Sequence, residues 1–127
     1  MEFTLCFEDC TGWMAVGMRK DKVNGDHNGS GLSFLIDPTW GVQVFQSAVS
    51  NTEEPKVVHE RVQIANYNEA GTKIKIRVEG NTDTIYAEGT EVLSYTDTAG
   101  NFSKGFISFS SGMQKFSVDD LTITPLK

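Results

Sequence analysis

Apolar and polar residues alternate one by one through most of this sequence, and a period of two is the period of a β-strand. In the segment Trp13 to Arg19, for example, Met14, Val16 and Met18 fall on one side of a strand and predict its core face. No window keeps apolar residues at the spacing i, i+3, i+4, i+7 of an amphipathic helix. The pattern therefore predicts an all-β chain of about ten short strands. The predicted strands are Phe3 to Phe7, Trp13 to Arg19, Leu32 to Ile36, Val42 to Phe45, Val57 to Ile64, Lys73 to Val78, Thr84 to Ala87, Val92 to Tyr95, Phe106 to Phe109 and Phe116 to Ile123.

Turn signals separate these strands, which favours antiparallel pairing between neighbours. Asp37 to Gly41 and Glu79 to Asn81 are examples, since both combine glycine with Asp or Asn. Two longer polar stretches, Lys20 to Ser30 and Ser47 to Lys56, are typical of mobile loops inside one domain. We expect a single domain over residues 1–127, built as a sandwich of two antiparallel sheets that bury one apolar face each.

The last predicted strand changes its apolar parity. Phe116 and Val118 are even-numbered, whereas Leu121 and Ile123 are odd-numbered. One extra residue must therefore be accommodated between them, and we predict a β-bulge at Asp119-Asp120.

The charge balance excludes several classes of partner. Lys and Arg number 11 and Asp and Glu 17, which gives a net charge of −6. Nucleic acid is not an expected partner, because phosphate neutralisation needs a basic surface. No apolar run approaches the ~20 residues of a membrane span. We expect that any secretion signal lies outside this sequence or does not exist. Cys6 and Cys10 are too few for a disulfide scaffold and lack zinc-site spacing.

Six segments carry a further pattern: Trp13 to Arg19, Leu35 to Val42, Lys73 to Thr82, Gly89 to Asp97, Gly105 to Ser110 and Val118 to Ile123. In this order they resemble the concanavalin A-like jelly rolls, and among these the laminin-G-like and fructan-binding carbohydrate-binding modules of secreted bacterial glycoside hydrolases. The resemblance implies a jelly-roll sandwich that binds a glycan, in a secreted or cell-surface protein. Members of this family usually carry further strands before the segment that matches Phe3 to Phe7. We therefore expect that this sequence is a minimal version of the domain, that part of the domain has been lost, or that another segment completes the sheet.

The second predicted strand carries the first candidate sugar-binding residues. Proteins bind sugars with an aromatic ring stacked on the sugar ring and with planar polar side chains that hydrogen-bond to vicinal hydroxyls. Trp13 and Arg19 supply these groups on the side of the strand that faces away from the core, with the small residues Ala15 and Gly17 between them. The alternative is an ordinary solvent-facing side.

Three further aromatic residues are candidates for the same role. Trp40 lies in the Asp37 to Gly41 turn, where a ring is difficult to bury, so it is either an exposed platform or a ring folded over the rim of the sandwich. Tyr86, and Tyr95 with the neighbouring Asp97, add rings and a hydrogen-bonding carboxylate. Tyrosines in strands are also common cross-strand packing partners.

Two segments have features of calcium sites. Asn24 to Gly29 matches the first half of an oxygen-ligand calcium loop, but Leu35 stands where the closing acid is required, which favours a simple loop. Asp119 and Asp120 are candidate ligands of a structural Ca²⁺, because related jelly rolls often hold one near the terminal strand. The alternative is one solvated carboxylate and one that caps the turn.

The remaining charged residues do not form a recognisable catalytic motif. Lys73, Lys75 and Arg77 line one side of a strand, which predicts a solvated face or, alternatively, a surface for an acidic polysaccharide. His27 and His59 have no metal-site or nucleophile spacing. The E-x-D-x-E pattern that places the two carboxylates of retaining glucanases on one strand is absent from the sequence.

We therefore expect a noncatalytic carbohydrate-binding module that targets an attached glycoside hydrolase or surface protein to a glycan. A structural or adhesion domain is the first alternative, with Trp13 and Trp40 as anchors in contacts with adjacent domains or subunits. A catalytic domain of the keto-glycoside hydrolase type is the second.

Overall fold

Ten strands form among the described residues of the computed structural model, and they follow the alternating segments of the sequence. The structure describes residues 1–7, 13–20, 31–46, 56–68, 70–100, 105–112 and 116–125. The strands are β1 (Glu2–Phe7), β2 (Trp13–Lys20), β3 (Leu32–Asp37), β4 (Gly41–Gln46), β5 (Lys56–Val62), β6 (Thr72–Glu79), β7 (Thr82–Ala87), β8 (Thr90–Thr96), β9 (Phe106–Gly112) and β10 (Phe116–Thr122). The prediction of an all-β chain is confirmed.

The strands are arranged in two five-stranded sheets, as the sequence predicts. Sheet A has the order β10-β1-β6-β7-β8 and sheet B the order β5-β4-β3-β2-β9. The paired neighbours in both sheets are antiparallel. The chain crosses from sheet A to sheet B between β1 and β2. Sheet A therefore combines β1 with strands from the second half of the sequence.

The core lies between the two sheets. Met14, Val16 and Met18 are buried there, which confirms the predicted core face of β2. Phe3 of β1 meets Phe109 of β9 edge to face, with 5.5 Å between ring centroids and 89° between ring planes. Such pairs add about 0.5–1.5 kcal/mol to the hydrophobic gain from burial, so this contact helps to hold the sheets together.

The predicted bulge in β10 is confirmed. Val118 pairs with Leu5 and Asp119 with Thr4, but the next pair is Thr122 with Glu2, so the register shifts between them. Asp120 has a φ of 53°. Leu121, which follows the extra residue, is 46% exposed.

No helix among the described residues has the length and apolar character needed to cross a membrane. The Asn24 to Gly29 calcium-loop match, His27, Cys10 and most of the two predicted loops lie outside the described residues.

Candidate functional site

A shallow pocket of about 160 Å³ lies on the outer face of sheet B, which faces away from sheet A. Neighbouring strands supply its lining, because Leu35 of β3 is opposite both Ala15 of β2 and Gln43 of β4. Asp37 is paired with Gly41 where the β3–β4 hairpin closes. We call this cavity the Trp13 pocket. The residues that line it are Trp13, Leu35, Asp37, Gly41, Gln43 and Arg61.

Three polar side chains of the Trp13 pocket have defined positions. Arg61 of β5 donates a hydrogen bond from Nε to Gln43 Oε1 at 3.2 Å, which holds the guanidinium beside the amide. Asp37 Oδ1 accepts the backbone N–H groups of Thr39 and Trp40 at 2.8 and 2.9 Å. The pocket therefore combines a half-buried indole with an amide, a guanidinium and a carboxylate.

Trp40 is exposed at the tip of the β3–β4 hairpin, with 58% of its surface accessible. The hydrogen bond from its backbone N–H to Asp37 fixes the main chain of the turn. Met14 is opposite Ile36, so Trp13 lies near Asp37 and both tryptophans belong to the same end of sheet B. The exposed alternative for Trp40 is confirmed.

The prediction that Arg19 points outward is wrong. Its side chain is buried, with 6% of the residue accessible, and Nη2 lies 2.8 Å from Asp83 Oδ1 and 2.6 Å from the backbone oxygen of Gly80. The cause is local, because the β2–β9 register shifts between Gly17 and Lys20 and Arg19 has a φ of 57°. This irregularity turns Arg19 to the inside, next to Met18 in sequence, instead of onto the face that carries Trp13.

The other predicted aromatic residues do not join the Trp13 pocket. Tyr86 is half-buried on sheet A, where the Lys75 ammonium lies 5.9 Å from its ring centroid. Tyr95 packs against the core, and burial, with a further effect of the Asp97 charge, raises the pKa of its hydroxyl. Asp97 is itself buried. Sheet A therefore holds these residues apart from the Trp13 pocket of sheet B.

That Asp119 and Asp120 bind a structural Ca²⁺ stays a prediction. Asp119 Oδ1 accepts the backbone N–H of Asp120 at 3.0 Å, which is the bond of a turn cap. No group of three or more metal-ligating side chains occurs among the described residues. Calcium takes 6–8 oxygen ligands, so a site here would need backbone or water oxygens besides the two carboxylates.

Two of the three cations of the basic stripe on sheet A lie beside acidic side chains. Lys75 Nζ lies 3.6 Å from Glu2 Oε1, and Arg77 Nη2 lies 3.0 Å from Glu79 Oε2. Because these two cations already have acidic partners, the observation favours a solvated face over a surface that binds an acidic polysaccharide. Elsewhere, His59 Nδ1 lies 2.7 Å from the backbone oxygen of Glu60, within β5.

A second and larger cavity, of about 680 Å³, opens between the sheets near the start of β1. We call it the inter-sheet cleft. Its walls include the apolar side chains of Met1, Met18, Ile76, Val78, Ile107 and Ile123. Arg19 reaches its lining, but that guanidinium is bonded to Asp83. The cleft lacks an aromatic ring among its described lining residues, so it is less suited to a sugar than the Trp13 pocket.

Sequence reasoning missed Asp37, Gln43 and Arg61 as site residues. Gln43 is a polar residue between Val42 and Val44 and is therefore on the outer face. Its proximity to Arg61 requires the pairing of β4 with β5, whose register shifts twice. Local alternation identifies the face of such residues but not their neighbours across a sheet.

Comparison with known proteins identifies a solved structure of similar fold. No family model matches the chain, and no curated protein sequence matches it. Among solved structures, the fold is similar to the carbohydrate-binding module CBM66 from Bacillus subtilis, with a TM-score of 0.70 and 19% sequence identity. The match covers 93% of this chain and 69% of that module. The chain therefore has the β-sandwich fold of a carbohydrate-binding module, which agrees with the resemblance found in the sequence.

Proposed function

We propose that this protein is a noncatalytic carbohydrate-binding module and that the Trp13 pocket is its sugar-binding site. The observation that carries the proposal is the convergence of an indole, an amide and a guanidinium in one shallow pocket on an outer sheet face. The fold likeness to a protein described as a carbohydrate-binding module supports the same assignment.

The chemistry of the Trp13 pocket suits a neutral, hydroxyl-rich ligand. The C–H face of a sugar stacks on an indole, while the Gln43 amide and the Arg61 guanidinium offer planar hydrogen-bonding groups to neighbouring hydroxyls. The volume of about 160 Å³ is below the ~300–1,000 Å³ of pockets for drug-sized ligands. We expect the pocket to hold a single sugar ring, with Trp40 in reach of the sugar attached to it.

A binding role fits this pocket better than hydrolysis. Retaining glycosidases place two carboxylates about 5–5.5 Å apart. Asp37 is the single carboxylate among the described residues that line the pocket, and one of its oxygens already accepts two backbone N–H groups. Attached to a glycoside hydrolase or surface protein outside the cell, such a module would raise the local concentration of that protein at a glycan.

The test is a glycan array followed by titration with tryptophan fluorescence, using fructans, glucans, mannans and xylans. We expect one class to bind, and Trp13→Ala and Trp40→Ala to weaken that binding by about tenfold or more. Tyr86→Ala is the matched control, because it removes an aromatic ring from sheet A and should leave the affinity unchanged.

Two outcomes would contradict the proposal. One is a glycan affinity that is equal in the native chain and in a folded Trp13→Ala variant. The other is no response to any glycan together with a concentration-dependent dimer that Trp40→Ala dissociates, which would support the adhesion alternative.

A further inference from the structure

The two sheets end in four edge strands, and three of these have features that discourage pairing with another strand. β5, β8 and β10 each contain at least one extra residue relative to the strand with which they pair, so each is bulged. Each also carries charged side chains, such as Arg61 in β5, Glu91 in β8 and Asp119 in β10. Bulges and charges are common means by which proteins keep open sheet edges from associating.

The fourth edge strand, β9, has neither feature. Its sequence from Phe106 to Gly112 contains no charged residue, and the extra residue at the β2–β9 register shift belongs to β2. Among the described strands, β9 pairs with β2 alone. Every second residue of β9 therefore directs its backbone N–H and C=O groups away from the sheet. Such an edge is ready to pair with a further strand.

Apolar side chains of β9 are left partly in water. Phe109 faces the core, where it meets Phe3, but it is only half-buried. Because side chains alternate along a strand, Phe106 lies on the outer face of sheet B and Ile107 on the inner face, where it lines the inter-sheet cleft. Phe106 is 50% exposed and Ile107 is 37% exposed. A strand placed beside β9 would cover part of all three side chains of β9.

The order of residues in β9 is complementary to itself when two copies run antiparallel. With Phe109 opposite its own copy, Phe106 lies opposite Gly112, and the absence of a side chain there leaves room for the ring. Ser108 then lies opposite Ser110, and such hydroxyls hydrogen-bond across strand pairs. All 7 residues of the strand pair in this register, and no like charges face each other.

We propose that β9 is the interface of a homodimer, in which it pairs antiparallel with β9 of a second copy of this chain across a two-fold axis. Sheet B then continues through the axis as one sheet. A two-fold axis uses the same surface of both copies, which fits an edge that is complementary to itself. A partner of another sequence finds no charge on this edge to recognise.

The dimer brings an aromatic ring of the second copy towards the Trp13 pocket, a consequence that rests on the proposed function. Trp13 pairs with Gly112 in the β2–β9 ladder, and Gly112 lies opposite Phe106 of the partner subunit in this register. These residues share the outer face, and two strand spacings of about 10 Å in total separate the backbones of the two aromatic residues. The axis is perpendicular to the sheet, so both Trp13 pockets lie on the same face and meet one glycan surface together.

The test measures dimerisation of the full chain without sugar, so its outcome is independent of whether the Trp13 pocket binds a glycan. Sedimentation equilibrium gives the dimer dissociation constant. Ser108→Lys/Ser110→Lys places like charges opposite each other at two points, and we expect it to raise that constant at least about tenfold. Ser108→Asp/Ser110→Lys is the matched variant, because it places opposite charges at the same two points, and it should keep the dimer within about threefold of the native strength. Trp40→Ala should leave the dimer intact.

Four results would overturn the proposal. The first is a native chain that is still monomeric at about 1 mM, where even weak association is measurable. The second is a dimer that Ser108→Lys/Ser110→Lys leaves intact, and the third is a dimer that Trp40→Ala dissociates. The fourth comes from amide hydrogen exchange, which should be slower in β9 at high than at low protein concentration. Equal exchange at both concentrations in a dimer would place the interface elsewhere.

Discussion

Arg19 and Asp83 form an ion pair between the two sheets, with Arg19 Nη2 2.8 Å from Asp83 Oδ1 and both side chains buried. Arg19 belongs to β2 of sheet B and Asp83 to β7 of sheet A. Removal of one partner leaves a buried charge uncompensated, which costs about 3–5 kcal/mol. We expect Arg19→Met to lower the free energy of unfolding by about 3 kcal/mol or more, as measured by urea unfolding.

Lys75→Met is the control for that experiment, because the Lys75–Glu2 pair is half exposed and such pairs contribute about 0–1 kcal/mol. The double variant Arg19→Met/Asp83→Leu should recover part of the loss, since it leaves neither charge buried. If Arg19→Met cost no more than Lys75→Met, the ion pair would have no structural importance.

The raised pKa of Asp83 predicts that the stability of the protein depends on pH. Burial raises the pKa of Asp83 above its ordinary value of 3.8, against the opposing effect of the hydrogen bond from Arg19. A carboxyl group with a raised pKa binds its proton more tightly in the folded state than in the unfolded state, so protonation of Asp83 stabilises the fold. This stabilisation is fully present below pH 3.8 and is lost as pH rises through the raised pKa. The Asp83→Asn variant lacks this titration.

Urea unfolding of both proteins at a series of pH values measures the effect. The free energy of unfolding of the native chain should fall relative to that of Asp83→Asn as pH rises from 3.8 through the raised pKa. A rise in that difference over the same interval would mean that the ion pair lowers the pKa of Asp83 instead.

The two tryptophans and Arg19 show what alternation can predict. The pleat places Trp13 on the side opposite Met14, and the turn sequence explains why Trp40 is exposed. Alternation fails for Arg19, because neither its positive φ nor the register shift beside it changes the parity of the apolar residues in β2. The bulge in β10 was predictable, since there the parity of the apolar residues changes.

Gly41, which lines the Trp13 pocket, is expected to tolerate alanine poorly. Its φ is 94°, and a Cβ at this position would overlap the backbone carbonyl of Val62 in β5. Gly80 has a φ of 59° but no atom within 4 Å of the position of an added Cβ, so it isolates the cost of the backbone conformation. That cost is about 1–2 kcal/mol.

We expect Gly41→Ala to be more destabilising than Gly80→Ala by at least about 1 kcal/mol, because strand β5 must move to remove the overlap. Thermal and urea unfolding of the two variants measure the difference. Equal destabilisation would show that β5 shifts at no cost.

Gln43 and Arg61 are expected to act on a bound sugar as one unit. Arg61 Nε donates to Gln43 Oε1 at 3.2 Å, so each side chain orients the other in the Trp13 pocket. Gln43→Leu and Arg61→Met should each weaken glycan binding by about tenfold, and the double variant should lose less than the product of the two effects, because contacting residues are not additive.

Both side chains are on the outer face of the sheet, so we expect each substitution to change the free energy of unfolding by about 0.5 kcal/mol or less. Arg77→Met is the matched control, because it removes an exposed guanidinium from sheet A without touching the pocket. Titration of the native chain and the four variants with the same glycan gives the five affinities needed. If the effects of Gln43→Leu and Arg61→Met on glycan affinity were fully additive, the two groups would contact the sugar independently. If Arg77→Met weakened glycan binding as much as Arg61→Met does, the net charge of the protein and not the pocket would set the affinity.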